Sequence, residues 1–525
     1  MIPHRIGWVL ESDDEIITLE ADKQAEPLIR VGDFVVVEEG KRKILGQIQH
    51  LKYEDVSKLP QHYRSAKPET LSEYREGYRL WGEAFALVEI DAEGRMSLPR
   101  NPAEPTKELR FATEDEIKLL IQQVTGTSTP LRVGVIDQRN AQVPFSIPME
   151  KVIERHMALL GVTGSGKSNL VKRMIQELIN HEKELKSKFA VLVLDIHEEY
   201  EVFQRSKRPV FSLDKYSGLP RLTIPIAPLE SDPNVLFSIL YPEGSTSEAQ
   251  RMFYDLLVDY AKEKKKGIVE AVNRLYNATY VSREKGKTKR TDTEVTVRGY
   301  TIPISHKTLD ALKRRIDDLY RSIIFEQEGL AQWNKIQSML DTEGGIAIIE
   351  FGKTSLSDRV KAIQVIASYI INTRRQISKQ NLSKRPFVWL VIEEAHNFLA
   401  QDSPTLSTLR MICQEGRKFR VGLCIVSQTP RRVDDIALSQ CNSVVALRII
   451  NPRDQSTIRE SCAMVQERMI KHLPRLSVGQ AYFSLADAFV PILVQVDNFD
   501  ENTLNNRTGD NEGKPPDVGL LSKEY

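Results

Sequence analysis

Cysteine is scarce in this sequence: four residues in 525, Cys413, Cys424, Cys441 and Cys462, none of them in a C-x-x-C pair. That argues against a disulfide-stapled scaffold or a zinc site. Cys424, inside an apolar run, reads as a buried reduced thiol of an intracellular protein. Long hydrophobic runs are missing too. Apolar stretches such as Ala190–Leu194 and Phe387–Ile392 fall far short of the roughly 18 residues that span a bilayer. Residues 1–17 bring acids early and no continuous apolar segment, so no secretory signal is read there, and the expected location is cytoplasmic, with no membrane partner. Nor is there an excess of one charge: 73 basic residues stand against 72 acidic, a net +1. A nucleic-acid surface would therefore have to come from local segregation of charge. What remains, 41% apolar and 28% charged residues, is the composition of an ordinary globular protein. Its length allows about two to four domains.

Residues 1–150 read as a small β-barrel. Short apolar runs recur at Ile6–Leu10, Ile16–Leu19, Phe34–Val37, Ile44–Ile48, Phe85–Ile90 and Val133–Ile136, separated by Gly, Asp, Asn and Pro, which is the pattern of short strands and turns. The polar stretch from Tyr53 to Tyr78 reads as an inserted loop and helix. From Met157 buried strands alternate with helices, as in a parallel α/β sheet. Strands are expected at Met157–Leu160, Phe189–Asp195, Ile346–Phe351, Phe387–Ile392, Val421–Ser427 and Val444–Ile450, and a helix at Ser168–His181. Between 241 and 342 helical periodicity takes over at Glu248–Ala261, Ile268–Leu275 and Leu309–Leu319, a helical insertion in which Arg283–Arg290 reads as a mobile basic loop. The fold class is thus α/β: a RecA-like P-loop core, 151–240 and 343–496, with an N-terminal barrel, the insertion and a tail, 497–525, too polar to pack alone.

Gly161-Val162-Thr163-Gly164-Ser165-Gly166-Lys167-Ser168 matches G-x-x-x-x-G-K-[ST] between a buried strand and an amphipathic helix. Glycines let the backbone wrap and turn its N–H groups inward, and the helix N-terminus adds partial positive charge, so the loop suits a triphosphate. Gly161, Gly164, Ser165, Gly166, Lys167, Ser168 and Asn169 are the candidate nucleotide contacts; Lys167 would reach the β- and γ-phosphates of ATP and Ser168 would ligate Mg²⁺. Such a loop needs acids at a neighbouring strand end. Phe387–Ile392 runs into Glu393-Glu394, Glu393 for the metal side and Glu394 for the attacking water. Asp195 ends another strand and could hold a metal-bound water or fix the P-loop lysine; an ordinary strand-end Asp is an equal reading, and His197 reads by default as structural.

Val421–Ser427 leads to Gln428-Thr429-Pro430, where an amide could contact the γ-phosphate or its water. Glu415-Gly416-Arg417-Lys418-Phe419-Arg420 carries basic residues that either compensate a helix C-terminus or reach a neighbouring subunit's ATP. Arg155 is a second candidate for that reach.

With the barrel, this set of motifs resembles the HerA family: G-V-T-G-S-G-K-S, then D-x-H-x-E-Y at Asp195–Tyr200, E-E-A-H at Glu393–His396, E-G-R-K at Glu415–Lys418, S-Q-x-P at Ser427–Pro430 and L-S-Q-C-N at Leu438–Asn442. One departure is Glu198, where the family usually has Gly. The resemblance implies a homo-hexameric ATPase that threads double-stranded DNA through a central channel. It implies that Lys167, Ser168, Glu394 and Gln428 serve ATP, with Arg155 or an arginine of Arg417–Arg420 acting across the interface. It also implies an effector docked on the barrel: a NurA-like nuclease in DNA end processing, or another nuclease or a sirtuin-like NADase in anti-phage defence. A ring that binds ATP mainly to scaffold and switch on such an effector is the alternative. A conjugation or secretion ATPase is a third reading, disfavoured by the lack of a membrane segment. Local basic runs, Arg283–Arg290 and Lys262–Lys266, could be DNA contacts or simply solvated faces.

Overall fold

The computed structural model describes residues 5–55, 78–125, 130–138, 141–181, 189–206, 208–214, 216–225, 233–241, 247–279, 281–284, 287–321, 325–326, 330–461, 467–486 and 491–501. The stretch between Tyr53 and Tyr78, Cys462 and the tail beyond 501 lie largely or wholly outside them.

Six antiparallel strands close the N-terminal barrel: Gly7–Ser12, Ile16–Ala21, Phe34–Glu39, Arg42–Asp55, Tyr78–Ile90 and Glu108–Phe111. Closure comes from the two ends of the sheet meeting, Ile16–Ala21 on Tyr78–Ile90. The long strand pair bends through register shifts at Leu45/Gly46 and Ile48/His50, the device that lets a sheet curl. Alternation sorts its side chains. Val35 and Val37 fill the barrel, whereas Phe34 and Val36 face outward into the core of the next domain.

The barrel ends earlier than position 150. Pro130–Gln138 and Ala141–Pro148 form a hairpin that belongs to the second sheet, where Gln495 and Val496 pair with Val135 and Gly134. The apolar run Val133–Ile136 thus has the right secondary structure but the wrong partner, because alternation specifies a strand and not the sheet it joins. The helix Glu114–Thr125 lies between the two sheets, its Ile117, Leu120 and Ile121 in the shared core. It is tied to the barrel by Glu116, which takes Arg110 at 2.7 Å and Lys43 at 3.1 Å. Burial alone would raise the Glu116 carboxyl, but these cations and the Thr113 N–H bring it down to about 2.

The second sheet has eleven strands. Its parallel part runs, from one edge, Val210–Ser212, Gly345–Glu350, Phe189–Asp195, Phe387–Ile392, Val421–Ser427, Met157–Leu160 and Ser443–Ala446. The central strands are buried along their whole length, as parallel strands covered on both faces must be. One face carries the helix Lys167–Asn180 through Leu170, Val171, Met174, Ile175 and Leu178; full burial of such side chains is worth roughly 1.5–3 kcal/mol each. The other face carries the long helix Leu356–Gln376 and the inserted segment. Arg374 joins the two, its buried guanidinium donating to the Leu340 carbonyl at 2.8 Å and the Pro386 carbonyl at 2.9 Å. That fixes the end of the insertion against the start of the strand Phe387–Ile392.

The insertion holds the expected helices, Glu248–Glu263, Ile268–Ala278 and His306–Arg321, but it is not all helical. Thr293–Val297 pairs with Tyr300–Ile304. Arg283–Arg290, read from sequence as a mobile loop, forms at its described residues a second antiparallel pair, Val281–Glu284 with Lys287–Arg290. The lysines of 262–266 end and follow a helix, with Lys266 paired to Glu270, which fits dipole compensation.

Candidate nucleotide site

The chain enters the phosphate loop from the strand Met157–Leu160, which lies between Val421–Ser427 and Ser443–Ala446. Both neighbours clamp the loop's start: Gly161 N–H donates to the Ser427 carbonyl and Val162 N–H to the Arg448 carbonyl at 2.9 Å. A Cβ at Gly161 would lie 2.7 Å from Ser165 Oγ and 2.9 Å from Leu447 Cβ, so only glycine fits. Gly164 and Gly166 have φ of +73° and +108°, a region that favours glycine. From the far side, Gly479 N–H donates to the Ser165 carbonyl at 3.1 Å, a contact made by a turn more than 300 residues away in sequence.

Lys167 is buried and donates to its own loop, to the carbonyls of Gly161 at 2.8 Å and Val162 at 3.0 Å. Burial lowers its pKa, and the charges of Glu394, Glu393 and Glu199 work against that. Hydrogen bonds link the acid pair to the loop. Thr163 Oγ1 donates to Gln428 Oε1, and Gln428 Nε2 donates to Glu394 Oε1. Glu394 Oε1 is also 3.0 Å from His197 Nε2, and its Oε2 is 3.2 Å from His396 Nδ1. Glu394 itself has φ +49°, so the chain turns sharply where the strand stops.

Glu393 is buried and accepts the Tyr200 hydroxyl. Burial pushes its carboxyl up to about 7; the Tyr200 hydrogen bond and Lys167 oppose this, while Asp195 and Glu199 add to it. A buried acid destabilised by loss of water and by neighbouring acids suits a cation. Among the described residues no group of three or more His, Cys, Asp and Glu forms a metal cage. Mg²⁺ held here would take most of its ligands from phosphate and water, as it ordinarily does.

Two assignments differ from the sequence reading, and a further pair of candidates lies away from the site. Asp195 spends its carboxylate on the backbone: Oδ1 accepts the His197 N–H and Oδ2 the Tyr200 N–H, each at 3.0 Å. It closes a turn, so the strand-end reading fits better than the metal reading. The Asn169 amide, expected to contact the nucleotide, is taken up by the C-terminal chain; it donates to the Asp497 carbonyl at 3.0 Å and accepts the Phe499 N–H at 2.9 Å. Arg155 and Arg417 lie at the edge of the sheet where the parallel strands begin, and the phosphate loop lies where they end. The seven-residue strand Val421–Ser427 separates the edges, roughly 20 Å at about 3.3 Å per residue. Both arginines thus lie away from the phosphate loop of their own protomer; Arg417 is exposed and Arg155 half-buried.

The fold also brings in residues to which the sequence reading gave no role at the site. Tyr200 and His197 contact the acid pair. Glu350 ends the strand paired with Phe189–Asp195 and stands in register with Asp195. Burial and the charges of Glu198, Asp195 and Glu201 push its carboxyl up to about 7. A polar residue closing an all-apolar strand was the available signal for Glu350, and the Tyr of D-x-H-x-E-Y for Tyr200.

The fold and site together define a RecA-like P-loop protein with an N-terminal barrel. Residues 131–373 match the family model described as "Helicase HerA, central domain". The chain is 26% identical over 508 residues to the DNA double-strand break repair helicase HerA of Saccharolobus solfataricus, covering 95% of this chain and 93% of that one. It is 25% identical over 486 residues to a probable helicase of Methanocaldococcus jannaschii, covering 90% and 87%. A solved structure of the plasmid coupling protein TrwB with the ATP analogue ADPNP shares 17% identity and a TM-score of 0.49, over 72% of this chain and 91% of that one. Over residues 131–373, and through relatives that align along most of its length, the chain is similar to the HerA family. Among the described residues, no helix is long and apolar enough to cross a membrane.

Proposed function

We propose that this chain is the ATP-hydrolysing subunit of a homo-hexameric ring that moves along double-stranded DNA. The observation that carries the reading is the convergence of Lys167, the acid pair and Gln428 at one sheet edge, linked from Thr163 through Gln428 to Glu394. In this reading Lys167 and the loop N–H groups bind the β- and γ-phosphates, and Ser168 with Glu393 holds Mg²⁺, which supplies charge neutralisation on the phosphates. Glu394 orients the attacking water, and Gln428 reports the γ-phosphate to the rest of the domain. Arg155 or Arg417, remote from the site in its own protomer, serves the neighbour's. The relatives named for double-strand break repair favour DNA as substrate. The setting proposed is DNA end processing beside a partner nuclease, with anti-phage defence beside a nuclease or NADase effector on the barrel as the second. A ring that only scaffolds an effector needs no water-orienting acid, and Glu394 with three donors around it favours turnover.

The test is the ATPase rate with and without linear duplex DNA, alongside mass in solution. A hexamer whose rate rises with DNA and disappears in Lys167→Ala supports the motor. A ring whose slow rate ignores DNA supports the scaffold, and turnover undiminished in Lys167→Ala removes the site assignment.

A further inference from the structure

Both acids of the pair are gripped by a single turn on the adjacent strand. Phe189–Asp195 runs beside Phe387–Ile392 with Leu194 opposite Ile392, so residues 195–200 emerge next to Glu393 and Glu394. Asp195 closes the turn by accepting the N–H groups of His197 and Tyr200. Glu198 completes the reversal at φ +62°. The result sends two side chains back to the neighbouring strand. The fully buried Tyr200 donates its hydroxyl to Glu393, and the half-exposed His197 brings Nε2 to 3.0 Å from Glu394 Oε1.

Resting on the ATPase reading above, we propose that Tyr200 and His197 are positioning residues with separate duties: Tyr200 orients Glu393 for the metal, and His197 orients Glu394 for the water. A glutamate side chain loses rotamer freedom when fixed, and a misplaced base loses rate steeply, so each acid needs a donor that stays when nucleotide enters. Gln428 is not such a donor. It is already linked to the phosphate loop through Thr163, and a γ-phosphate that takes its amide draws it off Glu394. His197 belongs to the turn, and its hydrogen bonds run to Asp195 and Glu394 rather than to the phosphate loop; with His396 it keeps Glu394 aimed. Tyr200 is held from behind by Phe203, stacked at 6.5 Å between ring centroids, so its hydroxyl has one direction to point.

The experiment measures kcat, KM for ATP and the Mg²⁺ concentration for half-maximal rate in the full chain, its His197→Ala, His197→Gln and Tyr200→Phe variants, and Lys167→Ala as control. Loss of such an outer partner typically costs about 10–100-fold. His197→Ala should lose kcat on that scale with KM and Mg²⁺ requirement unchanged. His197→Gln, whose amide nitrogen can take the place of Nε2, should recover most of it. Tyr200→Phe should instead raise the Mg²⁺ requirement. Binding of a fluorescent ATP analogue checks that each variant is folded, and half-exposed His197 keeps the test usable if the buried Tyr200 variant does not fold. His197→Ala at full kcat, His197→Gln no better than Ala, or a folded Tyr200→Phe with unchanged Mg²⁺ requirement would overturn the proposal. A wild-type protein without ATPase activity that depends on Lys167 would instead sink the reading on which it rests.

Discussion

Asn169, one residue past the Ser of the phosphate-loop motif, holds the C-terminal chain with both ends of its amide: Nδ2 to the Asp497 carbonyl at 3.0 Å and Oδ1 from the Phe499 N–H at 2.9 Å. The same chain is held further along by buried Gln176, donating to the Asp500 carbonyl at 2.6 Å. It is also held by Phe499 against Phe203, 5.6 Å between centroids. Residues 497–501 are therefore a strap along the helix that begins the nucleotide site.

Asn169→Ala should release that strap. Two hydrogen bonds at about 0.5–1.5 kcal/mol each predict a loss of roughly 1–3 kcal/mol in denaturant unfolding, with faster hydrogen exchange at the Phe499 amide. Unchanged exchange there would mean that Gln176 and Phe499 suffice without Asn169.

Glu394→Gln should bind ATP and hydrolyse it at least about a hundredfold more slowly, the order lost with a positioned base. The substitution also sets an NH₂ among the three donors of His197, Gln428 and His396, so the side chain should reorient. Single-turnover kinetics with a separate binding measurement check this; normal turnover would move the role to Glu393.

Glu198→Gly should stabilise the protein. The left-handed conformation, φ +62°, costs a non-glycine residue about 1–2 kcal/mol, partly offset by roughly 0.4–1 kcal/mol of added unfolded-state freedom. A gain of about 0.5–1 kcal/mol in thermal or denaturant unfolding is expected, and a loss would show that the Glu198 side chain makes a compensating contact.

Glu350→Gln tests the buried acids at the strand ends. The folded-state pKa of Glu350 is raised to about 7 from an ordinary 4.5, so the folded protein binds the proton more tightly than the unfolded chain. Wild-type stability therefore falls as pH rises from about 4.5 to 7 on account of this group. Gln, always neutral, escapes that loss. The variant should be more stable than wild type at pH 7–8, and the difference should vanish near pH 4. Melting temperatures of the pair across that range decide it, and a difference independent of pH would remove the titration as its cause.

The motif loop and the central strands were legible because they depend on short-range rules. The strands Met157–Leu160, Phe189–Asp195, Phe387–Ile392 and Val421–Ser427 coincide with their apolar runs, since a fully buried parallel strand is an uninterrupted apolar run. Glu198 stood out in the sequence as a non-glycine, and its positive φ gives the physical reason glycine suits that position.

What the sequence determined by itself is therefore chemistry carried by neighbours in the chain: a glycine-rich loop between strand and helix, an acid pair closing an apolar strand, an amide closing another. What only the tertiary structure decided is who faces whom. Apolar alternation could not say that Pro130–Gln138 joins the second sheet, that Asn169 serves the C-terminal strap, or that Asp195 spends its oxygens on its own turn. Nor could it bring Tyr200 and His197 onto Glu393 and Glu394, nearly 200 residues away. Those partnerships follow from the order of strands in the sheet. That order comes from the burial of many side chains at once, so no local stretch of sequence encodes it.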